Sequence, residues 1–269
     1  MNSRGESQLF LRGSGERQLG LFFDGVLFNV PWDNRVDLST IPTDLIGKIT
    51  VNKGASSILY GANIIGGAIN IQTVERANEG FGLLLRTQFG DGGSQLYSVT
   101  ADGKYNNLNF ITNVSYSNSD GMILPSNVKI ENDSISQNQN SNIRTNTDYE
   151  RLSAYVRAEY KFSDNFIAGI SFNSYSNEKG VQSLTEGSPA DLRYWRYPEI
   201  NRNIITFNNL WDITEKLTTK TIFWYDIFQQ TINSYEDFTY SNLKERQKDD
   251  DATLGLRFNL SYDVVINHK

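Results

Sequence analysis

The feature that most constrains this chain is a two-residue alternation that recurs through its last two-thirds. Over residues 152–162, Leu152, Ala154, Val156, Ala158, Tyr160 and Phe162 share one face, and Arg151, Ser153, Arg157, Glu159 and Lys161 fall on the other. Successive side chains of a β-strand point to opposite sides, so this is a strand with one apolar and one polar or charged face. Eight such segments can be traced, at 82–90, 95–104, 108–117, 150–162, 166–177, 202–211, 217–232 and 251–263. The connections after the second, fourth and sixth are tight (105–107, 163–165, 212–216), whereas those after the third, fifth and seventh are long and polar. Short turns at one end and long loops at the other characterise outer-membrane barrels, and a soluble sandwich has no reason to keep that parity. The lengths suit the roughly 9–11 residues that a tilted membrane strand needs.

Composition agrees with a mainly β chain. Aromatic residues reach 12%, with 14 Tyr and 15 Phe, residue types that favour strands. Mean hydropathy is -0.46, and no stretch approaches the roughly 18 apolar residues of a spanning helix. A barrel strand averages out as polar, so low hydropathy does not exclude a membrane protein. The net charge of -6 offers no basic surface to a phosphate backbone and argues against nucleic acid as a partner. Cysteine is absent and the single histidine, His268, sits in the C-terminal tail; neither a metal site nor a cofactor is expected. Glu178, Glu186 and Asp191 lack any spacing that ties them to acid and base roles, so no catalytic residue is assigned and an enzyme is not expected. Asp249, Asp250 and Asp251 read as a solvated acidic loop rather than a calcium site. The start of the chain lacks the features of a signal peptide.

Residues 1–78 have a different texture, with short apolar runs at 21–23 and 64–71 broken by glycines. These read as short buried strands with tight connections, with at most one helical turn at 44–49. Within this region LRG at 11–13, LFFDGVLFN at 21–29 and IGKITVNKGASSILYGANIIGGAINIQT at 46–73 together resemble the plug of TonB-dependent outer-membrane receptors. The motif positions are Arg12, Gly13, Asp24, Gly25, Gly54, Ser57, Tyr60, Gly61, Gly66, Gly67 and Asn70. Asp24 with Gly25 reads as a tight turn between strands, a structural rather than catalytic role. Thr50 and Ala55 depart from the family pattern, which has an acidic residue and often proline there; the first departure removes a charge pair between plug and barrel.

The resemblance implies the C-terminal part of a plug at 1–78, followed at 79–269 by the first strands of a barrel that numbers about 22 strands in plugged transporters. On this reading the chain is a truncated receptor, lacking a signal peptide and the segment that TonB grasps. The implied function is active uptake of a scarce ligand, such as a ferric siderophore or cobalamin, across the bacterial outer membrane. The implied partners are outer-membrane lipid, the TonB–ExbB–ExbD system and an extracellular ligand such as a metal chelate. The resemblance also places Trp32, Asp33, Asn34 and Arg35 at an outward plug apex that meets ligand. Arg193, Tyr194, Trp195, Arg196 and Tyr197 form a second candidate in an extracellular loop at 180–199, where aromatics and arginines suit an anionic or aromatic ligand; a membrane-interface girdle is the competing role. Phe223, Trp224 and Tyr225 read as girdle or lipid face. The alternative function is a non-transporting protein in which the eight strands close into a small barrel or pair with another chain.

Overall fold

The computed structural model describes residue 4 and residues 6–54, 64–125, 143–183 and 192–264. Ser57, Tyr60, Gly61, Glu186, Asp191 and His268 lie outside them. Two sheets are built. The smaller contains β1 (Leu19–Phe23), β2 (Val26–Leu27), β3 (Ile46–Lys53) and β4 (Gly67–Thr73), in the order β2-β1-β4-β3. β1 is central, antiparallel to β2 and parallel to β4, and all five of its residues are buried, which explains an apolar run without alternation. Asp24 and Gly25 have φ of 46° and 84°, the paired positive values of a two-residue turn matched to strand twist. Arg12 and Gly13, at 51° and 82°, make the same kind of turn between Leu11 and Ser14. The helical turn expected at 44–49 is corrected: a single 3-10 turn ends at Leu45 and β3 begins at Ile46.

Gly67 shows why one motif position admits no side chain. Its φ is +142°, and a Cβ would lie 2.5 Å from the Asn52 carbonyl oxygen of the neighbouring strand. Gly67→Ala is expected to cost about 2–3 kcal/mol, because backbone rather than a flexible side chain must give way. A lowered midpoint in thermal unfolding followed by near-ultraviolet circular dichroism checks this; an unchanged midpoint contradicts it.

The larger sheet is antiparallel and runs in sequence order through β5 (Gly80–Phe89), β6 (Gln95–Tyr105), β7 (Leu108–Ser119), β8 (Tyr149–Ser163), β9 (Phe166–Val181), β10 (Trp195–Thr214), β11 (Leu217–Tyr235) and β12 (Leu243–Tyr262). β5 and β12 are its two edges and do not pair with each other, so these strands form an open wall and not a small closed barrel. At the tight-turn end the strands finish within about three residues of their expected limits. At the other end β10 and β12 begin seven and eight residues earlier than expected, at Trp195 and Leu243. Asp249, Asp250 and Asp251 are therefore strand residues, not a loop. The side chains of Asp249 and Asp250 join the sheet through cross-strand bonds, Gln229 Nε2 to Asp250 at 3.0 Å and Gln230 Nε2 to Asp249 at 3.1 Å.

The outer face of the wall carries Leu152, Val156, Tyr160, Ile170, Phe172, Ile205, Phe207, Phe223, Tyr225, Leu254, Leu256, Phe258 and Leu260, all exposed. So large an apolar surface marks a lipid or partner contact. On β12 it runs from Ala252 to Tyr262, ten steps of ~3.4 Å tilted by ~40°, or ~26 Å of height, the thickness of a barrel's apolar band. Tyr160, Phe162, Phe166 and Trp211 touch in series at the tight-turn end, with ring centroids 5.0, 5.6 and 6.0 Å apart. Aromatic rows at the edges of the apolar band are the arrangement found in barrel girdles. Trp224 is not part of the lipid face: strand parity turns it inward, where a Cβ on Gly255 would sit 2.1 Å from its ring.

The small sheet rests on the inner face. One apolar core joins Leu21, Phe23, Phe28, Val36 and Ile71 to Ile111, Tyr155, Tyr175, Ile204 and Phe228 of the wall. Around it, wall side chains bond the small sheet and its loops. Tyr155 donates to Asp24 at 2.5 Å, Arg202 to the Phe28 carbonyl at 2.6 Å, and Arg257 to the Gly25 carbonyl at 2.8 Å. Asp44, in the 3-10 turn before β3, pairs with Arg86 at 2.8 Å, a charge contact elsewhere than at Thr50.

Candidate functional site

At the long-loop end, the segment after β2 forms a tight apex. Asn29 organises it: its Oδ1 accepts from the Leu21 amide at 2.8 Å, and its Nδ2 donates to the carbonyls of Leu19 at 2.8 Å and Asn34 at 2.9 Å. Arg35 is buried and pairs with Glu6 and Asp33, while its guanidinium lies 5.1 Å from the Trp32 ring centroid. Asn34, at φ 57°, donates to the Arg17 carbonyl at 2.7 Å. Asp33, Asn34 and Arg35 thus shape the loop, and Trp32, 41% exposed, is the side chain it presents. Sequence reading missed Asn29, whose only signal is an amide side chain beside a buried strand.

The second candidate group does not converge. Its members are mostly strand residues of β10 rather than loop. A register shift between Tyr197 and Ile200 brackets Pro198, which cannot donate to the ladder and is tolerated in a sheet interior only at such a bulge. The bulge reverses parity, so that Tyr197 and Arg202 both face inward and are fully buried. Arg196 turns outward and binds Asp148 through two bonds of 2.9 and 2.6 Å. Arg193 stacks on Trp195 at 4.8 Å, and Tyr194 meets Tyr240 at 6.1 Å.

Between the apex segment and the tops of β8 and β9 lies a cavity of about 390 Å³, lined in part by Ser7, Ser39, Met122, Tyr149, Arg151 and Lys179. Arg151 donates from Nη1 to the Ser39 carbonyl at 2.5 Å and lies 5.1 Å from the Tyr149 ring centroid; its Nε is buried and has no partner among the described residues. Lys179 pairs with Asp37 at 3.3 Å. Asp37 also accepts from the amides of Ser7 and Ser39, at 3.3 and 3.0 Å, and from the Ser39 hydroxyl at 2.6 Å. Burial pushes the Asp37 carboxyl up, but Lys179, Ser39 and Arg151 outweigh it and hold the group below its usual value. A carboxylate depressed in the folded state adds stability that is fully present above the ordinary value of 3.8 and is lost as pH falls through the lower folded value. Thermal stability is therefore expected to hold on acidification to about pH 4 and then fall, with a smaller fall in Asp37→Asn; equal acid sensitivity in both proteins contradicts the assignment.

A small mixed sheet seated on the inner face of an antiparallel wall with an outer apolar band is the fold of a plugged outer-membrane barrel. Residues 2–68, about a quarter of the chain, match the TonB-dependent Receptor Plug Domain. The vitamin B12 transporter BtuB of Vibrio cholerae serotype O1 is 36% identical over 73 residues, 27% of this chain and 12% of that protein. Among solved structures, the copper transporter OprC superposes with a TM-score of 0.75 at 13% identity, over 98% of this chain and 38% of its own. The FrpB iron transporter from Neisseria meningitidis (F3-3 variant) gives 0.69 at 15%, over 96% and 40%, and the siderophore receptor PirA from Acinetobacter baumannii gives 0.69 at 18%, over 94% and 39%. The chain therefore spans about two-fifths of the length of these structures. Relatives and neighbours alike are transporters and receptors.

Proposed function

We propose that residues 1–78 act as plug and 79–269 as barrel wall of a receptor that lies in the outer membrane and takes up a scarce extracellular ligand, driven by the TonB–ExbB–ExbD system. Cobalamin, iron, copper and siderophores belong to the relatives' names; a metal chelate or cobalamin-like molecule is the ligand class inferred for this chain. The observation that carries the reading is the inner small sheet bonded to a wall whose outer face is apolar: a polar-held obstruction inside a lipid-facing wall is a gate. Ligand meets Trp32 at the apex and the cavity beside it, and no covalent chemistry is involved. The test is accumulation of labelled cobalamin and ferric siderophores by cells producing the receptor that carries this chain, with and without a protonophore. Accumulation of one of them that collapses with the protonophore is expected, and Trp32→Ala should weaken its binding by about tenfold. Accumulation indifferent to the protonophore would overturn the proposal.

A further inference from the structure

The cavity and the clamp on the apex segment share their cations. Arg151 and Lys179 both line the cavity, and the same side chains hold the segment below it, through the Ser39 carbonyl at 2.5 Å and Asp37 at 3.3 Å. Lys179 is 4% exposed, and Asp37 is the carboxylate that balances it. Asp37 is not itself a lining residue, and the carboxylate that does line the cavity, Asp148, is taken by Arg196 through bonds of 2.9 and 2.6 Å. Two cations thus line the cavity beside the Tyr149 ring and Met122, and the Nε of Arg151 is buried with no partner among the described residues. Arg and Lys in a partly apolar pocket recognise oxyanions, and the guanidinium adds directional donors for a carboxylate or similar group.

Resting on the receptor reading, we infer that the cavity takes an aromatic oxyanion, and that the bound anion displaces Asp37 and the Ser39 carbonyl from Lys179 and Arg151, freeing residues 37–41 of the plug. Ligand binding and the hold on the apex segment then compete for one pair of side chains. Competition of this kind is reciprocal: whatever loosens the clamp tightens the ligand by the same factor. The hold on Asp24 lies on another wall contact, so release is local to the apex.

The experiment uses the full chain in detergent, with benzene-1,3,5-tricarboxylate as probe and its uncharged trimethyl ester as control, read by titration calorimetry and amide hydrogen exchange. The tricarboxylate is expected to bind at least about tenfold more tightly than the ester, and to speed exchange at Ser39, Thr40 and Ile41 while leaving β1 and β4 unchanged. Arg151→Gln and Lys179→Gln should each erase the preference. Asp37→Asn guards against variants that merely fail to fold: it keeps both cations, and should bind the anion severalfold more tightly with exchange at 39–41 already fast. Equal binding of acid and ester, binding without faster exchange at 39–41, or weaker binding by Asp37→Asn would each overturn the inference while leaving protonophore-sensitive uptake intact. Loss of the latter sinks the receptor reading whatever the tricarboxylate does.

Discussion

Asp24→Ala is expected to loosen the plug more than any other single change in its turn region, by about 3 kcal/mol, seen as exchange of β1 and β4 amides about a hundredfold faster while wall amides stay slow. The carboxylate accepts from the Thr73 amide and hydroxyl, both at 2.9 Å, and from the Tyr155 hydroxyl at 2.5 Å, and it faces Arg157 at 3.7 Å. Alanine leaves two hydroxyls, an amide and a guanidinium without their acceptor at an interface where water is scarce. Asp24→Asn keeps one acceptor oxygen and should cost less. Acceleration spread evenly over plug and wall would show that Asp24 supports the whole fold rather than the junction.

Arg202→Met is expected to destabilise the protein by about 3–5 kcal/mol, because it strands Asp226 without a counter-charge in the interior. The two side chains are 2% and 3% exposed and bonded at 2.6 Å. Arg202 also lies 4.6 Å from the Phe28 ring centroid and 5.9 Å from that of Phe228. In such surroundings the double variant Arg202→Met with Asp226→Leu should regain part of the loss, since an apolar pair removes both desolvation costs. Recovery stays incomplete because the Phe28 carbonyl, accepting from Arg202 at 2.6 Å, loses its donor. Urea unfolding in micelles measures the cycle; additive losses in the double variant would contradict it.

Much of this architecture was legible in the sequence. All eight wall strands and their tight-turn ends follow from alternation, because lipid on one side and a polar interior on the other impose period two. The same cause explains what was missed. Beyond the apolar band both faces are polar, so the ladder of β12 continues through Lys244 to Asp251 with no change of polarity to reveal it. Pro198 could be seen, but not that its bulge would turn Tyr197 and Arg202 to the same side. Asp24 was legible as a turn residue; its meeting with Tyr155, 131 positions later, depends on how the two sheets pack. Trp32 was placed at an exposed apex, yet Arg35 beside it proved to be internal, since a paired arginine and a free one look alike in sequence.

The most direct test of the plug and wall assembly places a photo-crosslinking p-benzoylphenylalanine at position 155 of the protein in outer-membrane vesicles. Illumination should join position 155 to peptides carrying Asp24 or Thr73. Products confined to the adjoining strands β7 and β9 would contradict a plug seated on the inner face of this wall.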